Sequence, residues 1–140
     1  MFNGFLVKIN GEQVPNDYIV EGSYSASSEP IVTSDYYDAD YNYHIERAPK
    51  NKIEIEFDTR VMREDNYRIF SSMIQEEMSI EYYDPYDGLY HSGIFAYDGN
   101  ITPQIFKINK DAVYFKQQTI KFVRKRAGWW VYFLTTHEKI

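Results

Sequence analysis

Strict alternation of apolar and polar side chains marks the segment KIEIEFD at residues 52–58. Because side chains alternate between the two faces of a strand, Ile53, Ile55 and Phe57 share one face. The opposite face carries Lys52, Glu54, Glu56 and Asp58. The pattern predicts a β-strand with one buried face and one hydrated, mainly acidic face.

Helical spacing appears once, over residues 63–76. Apolar side chains there recur every three or four positions, and two acidic residues occupy the first turn, where the helix dipole favours them. The apolar stripe is Tyr67, Phe70, Met73 and Ile74, and the acidic pair is Glu64 and Asp65. We expect a single helix that covers one sheet.

Turn signals divide the rest of the chain into short segments. Asn10-Gly11 lies between two alternating segments and predicts a hairpin. Residues 17–24 are typical of a further strand, and residues 25–30 of a loop. Residues 77–98 predict a strand, a turn containing Pro and Gly, and a second strand. Residues 111–126 predict one long, irregular strand with a bulge.

These elements predict a mainly antiparallel β sandwich or barrel with one α-helix. A chain of 140 residues is long enough for one domain with its own core. We expect that domain to span residues 1–126, with an extended arm or loop at 25–50 and an aromatic C-terminal extension at 127–140.

The arm contains the stretch SDYYDADYNY at residues 34–43, which has almost no aliphatic side chains. Such a segment is poorly suited to pack against its own core, whereas tyrosines gain contact area at an interface with little rotamer entropy to lose. A disordered surface loop is the alternative interpretation. The arm residues expected at an interface are Asp35, Tyr36, Tyr37, Asp38, Tyr41 and Tyr43.

Charge is distributed unevenly along the chain. Residues 1–106 hold 7 basic and 19 acidic side chains, a net charge of −12, whereas residues 107–140 hold 8 basic and 2 acidic, a net charge of +6. We interpret the asymmetry as acidic and basic regions that meet across copies; two separate hydrated faces, or a weak nucleic-acid contact, are the alternatives. The predicted basic partner patch is Lys121, Arg124, Lys125 and Arg126.

Candidate chemistry is sparse. The absence of cysteine excludes disulfides and thiol catalysis. His44, His91 and His137 are far apart in sequence, and no phosphate-binding or nucleophile motif is present. The arm aspartates could bind calcium, but their spacing is not that of an EF-hand. Glu54 and Glu56 could serve as a glycosidase carboxylate pair, but alternation on a hydrated strand face explains them more simply. We therefore predict no enzymatic activity, no metal or other cofactor, and no membrane segment.

Several short motifs follow one another in a fixed order: VKINGEQVP near the start, Arg47 in a loop, KNKIEIEF, the helix, IEYYDPYDG and FAYDGNITP. This order resembles that of small structural proteins of tailed bacteriophages. Together the motifs span roughly residues 5–123. The proteins they resemble share the tail-tube fold with distal tail proteins and baseplate hub domains.

This resemblance implies two packed antiparallel sheets, a helix at their side, and a ring of subunits, commonly six. Glu54, Glu56 and Asp58 would face a channel through which DNA passes without specific binding, and the arm would reach a neighbouring subunit. Trp129 and Trp130 in the extension would dock on another tail protein. The expected location is the virion tail, after assembly in the host cytoplasm.

Several positions in the tail fit this interpretation: a distal tail or baseplate ring, the major tail tube, or a neck or tail-completion ring. A carbohydrate-binding β-sandwich is the alternative from another class. It would use the tyrosines and one of Trp129 and Trp130, since adjacent residues on a strand point to opposite faces.

Overall fold

A computed structural model describes residues 1–48, 51–99 and 101–127. These residues form twelve strands and one α-helix. The first six strands are β1 (Val7–Ile9), β2 (Glu12–Gln13), β3 (Ser25–Glu29), β4 (Val32–Tyr37), β5 (Tyr43–Arg47) and β6 (Lys52–Asp58). After β7 (Met62–Arg63) comes the helix α1 (Glu64–Met73). The last five strands are β8 (Met78–Asp84), β9 (Leu89–Tyr97), β10 (Ile105–Asn109), β11 (Ala112–Phe115) and β12 (Thr119–Ala127).

The strands form three sheets, and every strand pair is antiparallel. The largest has seven strands in the order β2-β1-β8-β9-β12-β6-β3. A three-stranded sheet has the order β10-β11-β7, and β4 and β5 pair only with each other. The prediction of a mainly antiparallel β protein with a single helix is therefore confirmed for the described part of the chain.

One face of the seven-stranded sheet supplies most of the core. The alternation predicted for β6 is confirmed, because Ile53, Ile55 and Phe57 are buried while the residues between them are not. Phe122 on β12 and Phe95 on β9 are fully buried beside them. Burying side chains of this size contributes roughly 1.5–3 kcal/mol each, so this face is a main source of stability.

The helix covers that core with its apolar stripe. Tyr67, Phe70 and Met73 are buried. The Phe70 ring meets Phe57 edge-on at 6.4 Å between centroids, and Tyr67 stacks on Phe115 at 4.3 Å. The helix is shorter than the predicted 63–76, because the backbone at Ile74 is already extended.

The first hairpin forms as its turn residues predict. Asn10 and Gly11 both have positive φ angles, 51° and 84°. The Asn10 backbone N–H donates to the Ser79 carbonyl oxygen at 2.7 Å, and the Asn10 side chain accepts from the Ser79 N–H at 3.0 Å. Asn10 therefore ties the turn to β8 as well as forming it.

The predicted strand at 17–24 is wrong. Residues Asn16–Tyr18 form a short 3-10 helix, and Ile19 makes only an isolated bridge to Thr59. The Val20 N–H donates to the carbonyl oxygen of Asp58 at 2.9 Å. The segment therefore crosses the end of β6, where its backbone bonds to residues 58 and 59, and it does not form a strand of a sheet.

The predicted loop at 25–30 is also wrong, because residues Ser25–Glu29 form β3 along β6. Serine-rich composition hides this strand, since backbone pairing at the end of a sheet requires few apolar side chains. The arm predicted at 25–50 thus begins in the main sheet. Its central part is the β4–β5 hairpin.

The single long strand predicted at 111–126 is two strands in different sheets. The chain leaves β11 after Phe115 and enters β12 at Thr119. The predicted bulge lies in β12, where the pairing with β9 shifts between Arg124 and Arg126. Strand β12 includes Ala127, the first residue of the predicted C-terminal extension. The rest of that extension, with Trp129 and Trp130, lies outside the described residues.

Candidate functional site

The β4–β5 hairpin is the feature that stands apart from the body of the protein. It contains the predicted arm tyrosines, and none of its residues from 31 to 47 is buried. Its strands pair with each other and with no other strand within residues 1–48, 51–99 and 101–127. The Ala48 N–H donates to the Ile31 carbonyl oxygen at 2.8 Å and closes the base of the hairpin. The arm is therefore an ordered hairpin whose two faces are left uncovered by the other described residues.

Cross-strand side-chain contacts stabilise this hairpin in place of a core. Tyr36 stacks on His44 at 4.9 Å between ring centroids, and Tyr37 lies 5.0 Å from Tyr43. The Tyr43 hydroxyl donates to Asp35 Oδ2 at 2.9 Å, which raises the pKa of that phenol. Cross-strand pairs of this kind stabilise an antiparallel hairpin.

The tip of the hairpin is organised by Asp38. Its Oδ1 accepts the backbone N–H groups of Asp40 and Asn42, both at 2.9 Å. Its Oδ2 lies 2.8 Å from His44 Nε2. The contact with His44 is the main cause of a lowered pKa at Asp38, and the Asn42 N–H adds to it. The bend leaves Tyr41 with a positive φ of 65° and its side chain 87% exposed.

The outer face of the seven-stranded sheet holds the acidic residues predicted to line a channel. Glu54 lies between two lysines, with Lys52 Nζ at 2.8 Å and Lys121 Nζ at 3.4 Å. The hydrogen bond from Lys52 is the main cause of a lowered pKa at Glu54. Asp58 accepts the Thr119 hydroxyl at 2.7 Å.

The predicted basic patch belongs to β12, directly beside β6. Lys121 is opposite Glu56 in the strand register, and its Nζ also lies 3.7 Å from Asp98. Lys121 already pairs within its own chain, because β6 and β12 are neighbours. Its pairing with an acidic arm from another copy stays a prediction. Arg124 is half-buried and Lys125 exposed, and at position 126 the backbone of β12 pairs with Ile94.

Sequence reasoning missed a second exposed hairpin, formed by β10 and β11. All five side chains of β10 are exposed, including Ile105, Phe106 and Ile108. A preceding Gly-Asn-Ile-Thr-Pro turn signal hid the strand, although the alternation in FKIN (residues 106–109) and the AVYF segment could have indicated a hairpin.

A histidine and two aspartates meet in the turn between β8 and β9. Their potential ligand atoms, on Asp84, Asp87 and His91, lie within 4.8 Å of one another. His91 Nε2 is 2.6 Å from Asp87 Oδ2 and 3.7 Å from Asp84 Oδ2. Asp84 Oδ1 accepts the Tyr86 N–H, and Asp87 Oδ1 accepts the Leu89 N–H. These hydrogen bonds stabilise the turn between β8 and β9, and this explains why the three side chains lie together.

The surfaces and the fold define a mainly antiparallel β protein with a projecting, tyrosine-rich hairpin. Residues 1–124 match the model of DUF6711, described as a family of unknown function, and the chain belongs to that family. No curated protein and no solved structure matches it significantly. No helix within residues 1–48, 51–99 and 101–127 is long and apolar enough to cross a membrane.

Proposed function

We propose that this protein is a structural, ring-forming component of a bacteriophage tail, without enzymatic activity. The β4–β5 hairpin is the observation that carries the proposal. It is ordered by its own hydrogen bonds, yet it exposes aromatic side chains on both faces. Exposed apolar and aromatic surface on a projecting element is typical of a contact with another macromolecule.

The motif order described above supports a tail protein over other self-assembling classes. The fold class is compatible with it, since a large antiparallel sheet has one buried face and one hydrated face. In a ring, the hydrated face formed by the outer residues of β6 and β12 would line the channel. The subunit would be built in the host cytoplasm and remain in the virion, at the distal tip, in the tube or at the neck.

The channel proposal now involves fewer free acidic groups than the sequence predicts. Glu54 is paired with two lysines, so its charge is largely balanced. Glu56 and Asp58 remain the acidic groups that would repel DNA phosphates from the wall. Glu56→Lys should slow DNA passage in reconstituted particles, whereas Glu56→Gln should have a smaller effect. Identical ejection rates for all three proteins would show that Glu56 does not line the channel.

Self-assembly is the first property to test. Sedimentation velocity over a range of protein concentrations, with negative-stain electron microscopy of the same samples, should show rings or short tubes with an open centre. A monomer at every concentration, with or without a neighbouring tail protein as template, would contradict the proposal. Binding of that monomer to a glycan array would favour the carbohydrate-binding alternative, with the exposed tyrosines of the hairpin as the platform.

A further inference from the structure

In the β10–β11 hairpin, strand β10 lies at the edge of its sheet and exposes apolar side chains. Strand β10 is the outer strand of its sheet and, among the described strands, pairs only with β11. Ile105 and Ile108 are 57% and 73% exposed, and Phe106 is similarly exposed. Proteins usually protect such an edge with charge, proline or a covering segment, because unpaired backbone groups beside apolar side chains attract another strand.

Basic side chains surround this edge. Lys107, Lys110 and Lys116 belong to the segment 105–116, whose only acidic residue is Asp111, so its net charge is +2. None of the three lysines forms a salt bridge within the part of the chain that the structure describes. Lys107 Nζ lies 4.7 Å from the centre of the Tyr114 ring.

The β4–β5 hairpin has the opposite charge. Residues 31–47 contain four carboxylates and one arginine, a net charge of −3. Asp40 and Glu46 have no salt-bridge partner among residues 1–48, 51–99 and 101–127. The two hairpins therefore offer complementary charge, and each exposes apolar or aromatic side chains that residues 1–48, 51–99 and 101–127 leave uncovered.

We infer that the acidic β4–β5 hairpin of one copy packs against the basic, apolar β10–β11 hairpin of a neighbouring copy. This inference rests on the proposed function and names the two surfaces that would join its subunits. Because the donor and acceptor surfaces differ, the contact is heterologous, and repeating it produces a ring or a filament. Opposite charge would guide the approach, and the tyrosine rings would cover Ile105, Phe106 and Ile108.

The absence of native cysteine permits a direct cross-linking test. Two differently tagged variants, Tyr41→Cys and Ile108→Cys, are mixed under mild oxidation. Both positions are strongly exposed, so neither substitution removes a core contact. We expect the disulfide-linked heterodimer to exceed either homodimer several-fold.

The control replaces Ile108→Cys with Tyr86→Cys, whose side chain is 81% exposed in the turn between β8 and β9. Collisions alone would link Tyr41→Cys equally well to either partner. Equal yields with the two partners would overturn the inference. A several-fold preference for position 108 that declines with added salt would support it, because exposed charges are screened.

A charge exchange tests the same contact through its electrostatics. Lys107→Glu with Lys110→Glu should reduce the preferred cross-link several-fold. Adding Asp40→Lys and Glu46→Lys on the other partner should restore it. Failure of this rescue, with both proteins folded by circular dichroism, would overturn the pairing.

A matched control addresses the patch predicted from the sequence. Arg124→Glu with Lys125→Glu changes the charge by the same amount and should leave the cross-link unchanged. Equal losses from this variant and from the β10 variant would contradict the assignment to β10–β11.

The failure of this inference is distinguishable from failure of the proposed function. If the wild-type protein forms rings while Tyr41→Cys shows no preference for Ile108→Cys, the subunits join through other surfaces. If the preference is present but the wild-type chain forms no closed or tubular assembly, the contact is real and the ring proposal fails.

Discussion

Removal of the β4–β5 hairpin should leave the body of the protein stable. The variant replaces residues 31–48 with Gly-Gly, so that β3 and β6 are joined by a short connection. None of the removed side chains is buried, so no core contact is lost. The pairing of Glu29 with Lys52 at the end of the sheet is retained.

The expected magnitude follows from loop closure. The connection between Glu29 and Lys52 becomes about fourfold shorter, and each halving of a flexible loop is worth about 0.6 kcal/mol, so the upper limit is a gain of about 1.2 kcal/mol. The wild-type hairpin already holds its own ends together, which reduces the gain. We therefore expect the free energy of unfolding to rise by between zero and about 1 kcal/mol.

Urea denaturation followed by far-ultraviolet circular dichroism measures this quantity. It should be done at a protein concentration where wild type and variant are both monomeric, because association stabilises the folded state. Sedimentation velocity at high concentration should show association for the wild type and none for the variant. A loss of more than about 1 kcal/mol would refute the reasoning, since it would require contacts between hairpin and body of the size that buried groups provide.

Three further predictions concern the body, the first turn and the hairpin tip. Phe70→Ala should reduce the free energy of unfolding by about 3–5 kcal/mol. Ile69→Ala, on the exposed side of the helix, should change it by about 0.5 kcal/mol or less. Equal effects of the two substitutions in urea denaturation would contradict the helix orientation. Gly11→Ala should cost about 1–2 kcal/mol because φ is positive there, and an unchanged midpoint would argue against that turn. The Asp38 pKa, measured by nuclear magnetic resonance titration, should lie below 3.8 and rise in His44→Ala. A carboxyl whose pKa is lower in the folded state stabilises the tip above its unfolded pKa, and that contribution disappears as pH falls through the folded value; an Asp38 pKa unaffected by His44→Ala would refute the pairing.

Local sequence patterns predicted the elements in which the spacing of apolar side chains shows which face is buried. The alternation over 52–58 and the helical spacing around Phe70 describe which face is buried, and both agree with the structure. The Asn10-Gly11 turn was also predictable from local sequence, since the turn requires positive φ angles and these two residue types adopt them readily.

Pairing across long sequence distances was not predictable in this way. Strand β3 is built largely from serines, and only the neighbouring β6 makes it a strand. The segment 17–24 has strand-like composition, yet its backbone crosses the end of β6 in place of entering a sheet. Side-chain pattern describes burial, whereas these two outcomes depend on which backbone groups are available to pair.

For the β4–β5 hairpin, the sequence predicted the lack of buried side chains but not the ordered turn. Its tyrosines and aspartates indicated a segment without a core of its own, and that absence of buried side chains holds over residues 31–47. The ordered turn at its tip depends on Asp38 accepting two backbone N–H groups, and the sequence DADYN indicates such a turn only once the flanking strands are known to pair.

Sheet topology also decides which charges remain available to a partner. Along the chain, Glu54 and Lys121 belong to separate acidic and basic regions, but β6 and β12 are neighbours and the two groups form a salt bridge. A net charge counted over a segment therefore overstates the charge that another molecule meets. The groups that matter for association are those left after pairing within the part of the chain that the structure describes, and these include Lys107 and Lys110 on one hairpin and Asp40 on the other. For this reason we propose the β10–β11 hairpin, in place of Lys121 on β12, as the acceptor for the acidic arm, although Lys121 lies in the more basic stretch of sequence.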